Sequence, residues 1–388
     1  MPYTILTLNN ISDKGLSLLP ADNYTISEDT ASPDAILLRS YKMHDMDIAD
    51  SLLAVGRAGA GTNNIPIERM SEKGVVVFNA PGANANAVKE LVIAGMLMAC
   101  RNLVPAKAYV DALQGDDEEL HKQVEAGKKK FAGFELPGRT LGVVGLGAIG
   151  VRIANAARAL GMNVVGYDPR IQIKYAWQLS SDVEPVDSIN ELLAQSDFIT
   201  FHVPLLDSTK DLINAESIQQ MKDNAVVMNF ARDGIVNERA VIDAIEAGKL
   251  HSYVCDFPSN TIKGAKGVIA LPHLGASTVE AEENCATMVA EQIRDYIEHG
   301  IIKNSVNLPD IKLPRAGVCR VSIVHSNSVD MVSQISQVLG KSDANIHHMV
   351  NDSRGDIAYT LLDVDKQLEE VTADELRAIN GVLKVRLL

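Results

Sequence analysis

The chain has 388 residues, a length that calls for two or three domains rather than one. Hydrophobic residues make up 46% and charged residues 22%, the balance of a globular protein. A formal net charge of −14 offers no electrostatic footprint to nucleic acid or to an anionic membrane, so an anionic ligand must be met by a local cluster of arginine or lysine.

Met1–Asn10 is strand-like, with no basic stretch ahead of it and no cleavage site, so no signal peptide is expected. Tyr3–Leu8 and Ala35–Leu38 read as strands, and Leu52–Ala58 and Gly74–Phe78 as two more short apolar runs, with helix-like stretches between. Leu91–Cys100 is too short to cross a bilayer and reads as a buried or subunit-contact helix. Thr140–Val144 is continuously apolar, as a parallel strand covered on both faces must be. Ile149, Ile153, Ala157 and Leu160 follow at helical spacing and Gly161 stops the helix. Val164–Tyr167, Phe198–Val203, Ala225–Phe230, Ser252–Cys255 and Val268–Leu271 are further strands. Ser188 with Glu191, and Ser277 with Glu280, form capping-box patterns, the second opening a long helix that Gly300 ends. This strand–helix rhythm predicts a doubly wound parallel sheet.

A linker with Pro309 and Pro314 leads to a separate tail from Val318. Its pattern is strand (Val318–His325), helix (Met331–Leu339), strand (Ala344–Val350), strand (Ile357–Val364), helix (Ala373–Ile379), strand (Val382–Leu388). That order predicts a ferredoxin-like α+β unit. The cysteines Cys100, Cys255, Cys285 and Cys319 show no CxxC spacing and read as reduced core thiols of a cytoplasmic protein, and no metal site is expected.

The segment Gly145-Leu146-Gly147-Ala148-Ile149-Gly150 follows a strand and opens a helix. Its glycines serve, in order, the tight turn, the approach of backbone to a pyrophosphate, and close helix–strand packing, while the helix N-terminus offers N–H groups to phosphate. Asp168 ends the next strand, about 20 residues on, where a carboxylate accepts from ribose hydroxyls. It would repel a 2′-phosphate, which favours NAD over NADP. Two other segments, Asn229–Gly234 and Leu271–Ser277, also follow strands and so lie at the ligand-binding edge of an open sheet. Arg232 offers a guanidinium suited to carboxylate oxygens, and His273 a base in the right range. Taken alone, Arg232 is more often a surface ion-pair residue and His273 more often a helix-entry histidine.

Four blocks extend the pattern: Gly56-Arg57-Ala58-Gly59-Ala60-Gly61, Asn79-Ala80-Pro81-Gly82-Ala83-Asn84, the glycine turn with Tyr167-Asp168-Pro169, and the arginine and histidine segments. On them the chain resembles the D-2-hydroxyacid dehydrogenases, within them the branch acting on 3-phosphoglycerate, and its tail resembles an ACT domain. The resemblance implies a flavodoxin-like substrate domain at 1–94 and 280–304, an inserted Rossmann-type NAD domain at 95–279, a linker at 305–317 and an ACT-like regulatory domain at 318–388. It implies NAD-dependent oxidation of 3-phospho-D-glycerate to 3-phosphooxypyruvate, the first step of phosphorylated serine synthesis. Arg232 then binds the substrate carboxylate and His273 takes the hydroxyl proton. Arg39, Ser40, Arg57 and Asn84 match substrate-side positions. Ala60, Gly145, Gly147, Ala148, Ile149, Gly150, Asp168, Val203, Ala231, Asp256, Gly275 and Ala276 match cofactor-side positions.

Two departures stand out. The family places a glutamate a few residues after Asp256 to orient the histidine, yet Asp256-Phe257-Pro258-Ser259-Asn260-Thr261 has none. Either His273 lacks its usual partner, or Asp256 or another carboxylate takes that part. ACT domains carry Pro-Gly after their first strand, where this chain has Val329-Asp330, although His325, Asn327 and Asn345 match positions that contact L-serine in feedback-inhibited relatives. A homodimer or homotetramer is implied. Two alternatives remain beside the phosphoglycerate reading. One is a dehydrogenase of the glyoxylate/hydroxypyruvate reductase type, and the other a weakly catalytic protein that senses NAD(H).

Overall fold

In the computed structural model, residues 2–388 are described. They divide into two compact units, residues 2–84 with 279–388, and residues 85–278.

The first unit opens with five parallel strands, β1 (Tyr3–Leu8), β2 (Tyr24–Ser27), β3 (Ala35–Leu38), β4 (Ala54–Arg57) and β5 (Val76–Asn79). Their order is β2-β1-β3-β4-β5, the flavodoxin-like arrangement. All four residues of β3 are buried because both faces are covered. Ile5, Leu37, Ala54, Val76 and Phe78 face one core, and Leu6, Ile36, Leu38, Val55 and Val77 the other. The helix Val279–His299 closes the first face. A Cβ on Gly56 would come 2.9 Å from Ile293 Cδ1, so that contact tolerates no side chain there. The expected capping box at Ser277 is one residue out of register, since Thr278 directly precedes the helix.

The second unit begins with the helix Ala85–Cys100, whose Val88, Val92, Met96 and Cys100 form a buried i, i+4 stripe; residue 94, the expected domain boundary, lies within it. Seven parallel strands follow: β6 (Thr140–Val144), β7 (Asn163–Tyr167), β8 (Val183–Pro185), β9 (Phe198–Phe201), β10 (Ala225–Asn229), β11 (Leu250–Cys255) and β12 (Val268–Ala270). The order β12-β11-β10-β9-β6-β7-β8 reverses between β6 and β9, and that reversal is the topological switch point. Ser188 accepts from Glu191 N–H at 3.2 Å, as the capping pattern expects, while the Glu191 side chain accepts from Asp187 N–H.

The tail has strands β13 (Cys319–Ser326), β14 (Ile346–Arg354), β15 (Ile357–Val364) and β16 (Val382–Leu387), antiparallel in the order β14-β15-β13-β16. With the helices Met331–Lys341 and Glu370–Arg377 this is a ferredoxin-like fold, which fits the ACT-like unit expected for the tail. Both helices cover one sheet face through Ile335, Leu339, Ala373 and Leu376. From the other face Val324, Tyr359 and Leu361 join the core of the first unit, beside Tyr296 and Ile297.

Polar contacts reinforce that seat. Arg320 is buried in a two-point pair with Asp363, at 2.7 and 2.8 Å, and its Nη1 donates to His299 O at 3.0 Å. Arg386 donates to Tyr296 O and Ile297 O, and Tyr359 to Gly300 O at 2.7 Å. Tyr296, Ile297 and His299 belong to the last turn of the helix, where Tyr296 O also accepts from Gly300 N–H at 2.9 Å, and Gly300 lies just beyond it. The linker is packed as well. Its Leu308, Ile311 and Leu313 are buried, and Asn307 accepts from Val77 N–H at 2.9 Å while donating to Val75 O at 2.9 Å.

Candidate functional site

Within the second unit the turn after β6 has the local geometry its sequence requires. Gly145 has φ +90°, and a Cβ there would lie 2.5 Å from His202 O and 2.8 Å from Val203 Cγ1. A Cβ on Gly150 would lie 1.9 Å from Gly145 O, so helix and turn touch backbone to backbone. At Gly147 a Cβ would meet nothing within 4 Å, so its open side faces no protein atom. No side chain caps the helix Gly150–Ala159, so Ala148 and Ile149 lead into a helix start with donors to offer. This set of residues fits a dinucleotide pyrophosphate.

Asp168 follows β7. Its Oδ2 accepts from Leu146 N–H and its Oδ1 from Arg170 N–H, both at 2.9 Å. A carboxylate has about four acceptor sites, so it staples the glycine turn and still has acceptor sites open. Replacing Asp168 with alanine should weaken NADH binding about 10- to 100-fold, the loss expected for a charged acceptor, while narrowing any preference over NADPH. Fluorescence titration with both cofactors checks this. Unchanged NADH affinity would show that the carboxylate serves the turn alone.

At the same sheet edge, β10 ends in Asn229. That residue is buried, donates to Arg232 O at 2.8 Å and accepts from Ala231 N–H at 3.2 Å. It fixes the bend that leaves Arg232 exposed, with Nη1 donating to Ala231 O at 2.7 Å. Asp256, after β11, is 1% exposed; its Oδ2 accepts from Gly275 N–H at 3.3 Å and its Oδ1 has no partner among the described residues. Burial pushes the Asp256 carboxyl up, against the opposing pull of a cationic His273 and the Gly275 N–H. His273, after β12, is exposed, and its ring lies 4.8 Å from that of Phe257. In the segment lacking the glutamate, Ser259 instead donates to Glu238 Oε2 at 2.6 Å. His202, just after β9, contacts Thr200 Oγ1 at 2.9 Å, and burial pushes its imidazole down to about 3, so it stays neutral.

In the first unit the substrate-side candidates also gather at strand C-termini. Arg39 and Ser40 follow β3, Arg57 ends β4 with Ala60 just beyond, and Asn84 lies past β5. Arg57 Nε donates to Arg39 O at 3.1 Å, and its guanidinium lies over Gly59, where a Cβ would meet Nη1 at 2.2 Å. Asn9 Oδ1 accepts from the N–H groups of Ser40 and Tyr41, and Asn64 donates to Arg39 O and Tyr41 O. Asn79 donates to Ala60 O at 2.6 Å.

The tail residues are not gathered within one chain. His325 is buried, with Nδ1 2.8 Å from Ser326 O and Nε2 2.9 Å from Thr360 Oγ1. Asn327 donates to Gly355 O in the hairpin at one end of the sheet, and Asn345 N–H donates to Asp365 at the other. Val329 is 95% exposed and Asp330 has φ +68°. Sequence reasoning missed Asn9, Asn64 and His202 as positioning residues. A polar residue just past an apolar strand is the signal that could have found Asn9 and His202, whereas Asn64 sits in a loop and carries no such signal.

Residues 93–275 match the family model for the D-isomer specific 2-hydroxyacid dehydrogenase, NAD binding domain. A D-3-phosphoglycerate dehydrogenase of Methanocaldococcus jannaschii is 40% identical over 293 residues, covering 73% of this chain and 53% of that protein. The chain thus spans about half the length of that relative. A D-3-phosphoglycerate dehydrogenase of Haemophilus influenzae is 31% identical over 355 residues, 88% of this chain and 83% of that one. The structure of an NAD+-bound 3-phosphoglycerate dehydrogenase from Entamoeba histolytica matches with a TM-score of 0.60 and 25% identity, covering 79% of this chain and 99% of that one. The chain belongs to the D-isomer specific 2-hydroxyacid dehydrogenase family.

Proposed function

We propose that the protein oxidises 3-phospho-D-glycerate to 3-phosphooxypyruvate, the entry step of phosphorylated serine synthesis. NAD supplies the hydride acceptor when bound. Arg232 holds the substrate carboxylate and C2 oxygen through its planar guanidinium. His273 takes the C2 hydroxyl proton as the C2 hydrogen departs with its electron pair, so the products are the ketone, NADH and one proton. Arg39 and Arg57 meet the phosphate, for which guanidinium is suited. The observation that carries the reading is the presence of Arg232 and His273 at the same sheet edge as the glycine turn and Asp168. The names of the D-3-phosphoglycerate dehydrogenase relatives support the substrate.

We further infer a cytoplasmic homodimer or homotetramer. A serine site using His325, Asn327 and Asn345 would draw Asn345 from a second copy, because Asn327 and Asn345 stand at opposite ends of one tail sheet.

The test is the appearance of NADH absorbance when the purified protein meets NAD and 3-phosphoglycerate at mildly alkaline pH, with the keto product trapped. Turnover is expected. Turnover of unphosphorylated acids alone would make the protein a reductase of the glyoxylate/hydroxypyruvate type. Cofactor binding without any turnover would make it a sensor.

A further inference from the structure

A cleft of about 360 Å³ opens on the first unit where β1, β3 and β4 end, with Asn10, Ser12, Lys14, Arg39, Glu282 and Glu283 in its lining. Two ion pairs stand in it. Arg39 Nη1 lies 2.6 Å from Glu282 Oε1, and Lys14 Nζ lies 2.5 Å from Glu283 Oε2. Glu282 belongs to the first turn of the helix Val279–His299, where the helix dipole favours a carboxylate. Arg39 is thus held at two points, its carbonyl by Arg57 Nε and Asn64 Nδ2, its guanidinium by Glu282.

We propose that Glu282 is a specificity-determining positioning residue. It holds the Arg39 guanidinium in the cleft so that a phosphorylated hydroxy acid finds it already oriented, and it thereby favours phosphorylated over unphosphorylated substrates. The proposal rests on the reading of Arg39 as a phosphate contact. The contact to Glu282 uses one of the five N–H donors of Arg39 and leaves the others for a bidentate anion. Without Glu282 the substrate itself must order a long side chain, and affinity falls by that entropic cost. A purely stabilising role is a weak explanation. The two side chains are 34% and 43% exposed, and exposed ion pairs contribute little to stability.

The experiment compares Glu282→Ala, Glu282→Gln and the parent on 3-phosphoglycerate and on an unphosphorylated D-2-hydroxy acid. Glu282→Ala should raise KM for 3-phosphoglycerate about three- to tenfold, with kcat and the KM of the unphosphorylated acid within about twofold. Glu282→Gln keeps an acceptor oxygen for Arg39 and should restore most of the loss. In an Arg39→Ala background, Glu282→Ala should have no further effect, because the two act as one unit. An unchanged KM, an equal rise for both substrates, or additive effects with Arg39→Ala would overturn the proposal. So would a fall in KM, which would make Glu282 a competitor of the anion. If the parent turns over only unphosphorylated acids, the reaction assignment fails separately. Calorimetric binding of 3-phosphoglycerate to the same proteins then decides the role of Glu282, with the same fold-changes expected in Kd.

Discussion

His273→Ala is expected to lower kcat by about 10²- to 10⁴-fold while NADH still binds, because a positioned base contributes that much to proton transfer and the glycine turn is untouched. Asp256→Asn provides the sharper test, since the usual glutamate is absent. The Asp256 carboxyl is almost fully buried, lacks a partner at Oδ1, and is pushed up by burial against the pull of a cationic His273. Removing its negative charge disfavours the protonated histidine, so the acid limb of the kcat/KM profile should move to lower pH. A modest loss of rate should accompany the shift. The measurement is a pH series of steady-state rates for the three proteins. A His273→Ala protein within tenfold of the parent would remove the histidine from the base role. An Asp256→Asn profile superimposable on the parent would pass the partnership to another group.

The second large effect is on stability. Arg320 and Asp363 are 1% and 0% exposed, and removing one member leaves a buried charge without its partner. Arg320→Met should cost about 3–5 kcal/mol, and the double variant Arg320→Met/Asp363→Leu much less than the two single losses together. Burial pushes the Asp363 carboxyl up, but the Arg320 guanidinium and the Ala316 N–H outweigh it and hold the group below its ordinary value. Its contribution is therefore complete above the ordinary carboxylate pKa of about 4 and is lost as pH falls below it. Urea unfolding at pH 7 and pH 3, followed by a probe in the first unit, checks both statements. A single variant as stable as the parent at pH 7 would show that the pair is replaceable by water.

Much of this was legible because buried parallel strands write themselves as apolar runs. Residues of β6 and β10 are almost all buried, and both were readable from composition alone. β2 and β8 were not, since each is a short edge strand with one buried residue and no pattern to read. The glycine turn and Asp168 were legible because their chemistry is local, within one strand–turn–helix unit. Glu282 was not, since its partner Arg39 lies far away in the sequence and only the packing of the helix Val279–His299 on β4 joins them. His325 matched a ligand-contact position in the tail, and only the strand register shows that its ring is buried against Ser326, Thr360 and Asn351.

The seat of the tail has a consequence for the architecture of the chain. A version of the protein cut before Val318 would expose the faces of Tyr296 and Ile297 that Val324, Tyr359 and Leu361 cover, and would strip the last turn of the helix Val279–His299 of its Arg320, Arg386 and Tyr359 donors. The small domain is therefore a keystone of the first unit, and it cannot be exchanged as a detachable accessory. That helix has 21 residues and so runs about 30 Å, with Glu282 and Arg39 at one end and the tail's grip at the other. Substitutions in the tail must therefore respect the shape of a helix end as well as any ligand the tail binds.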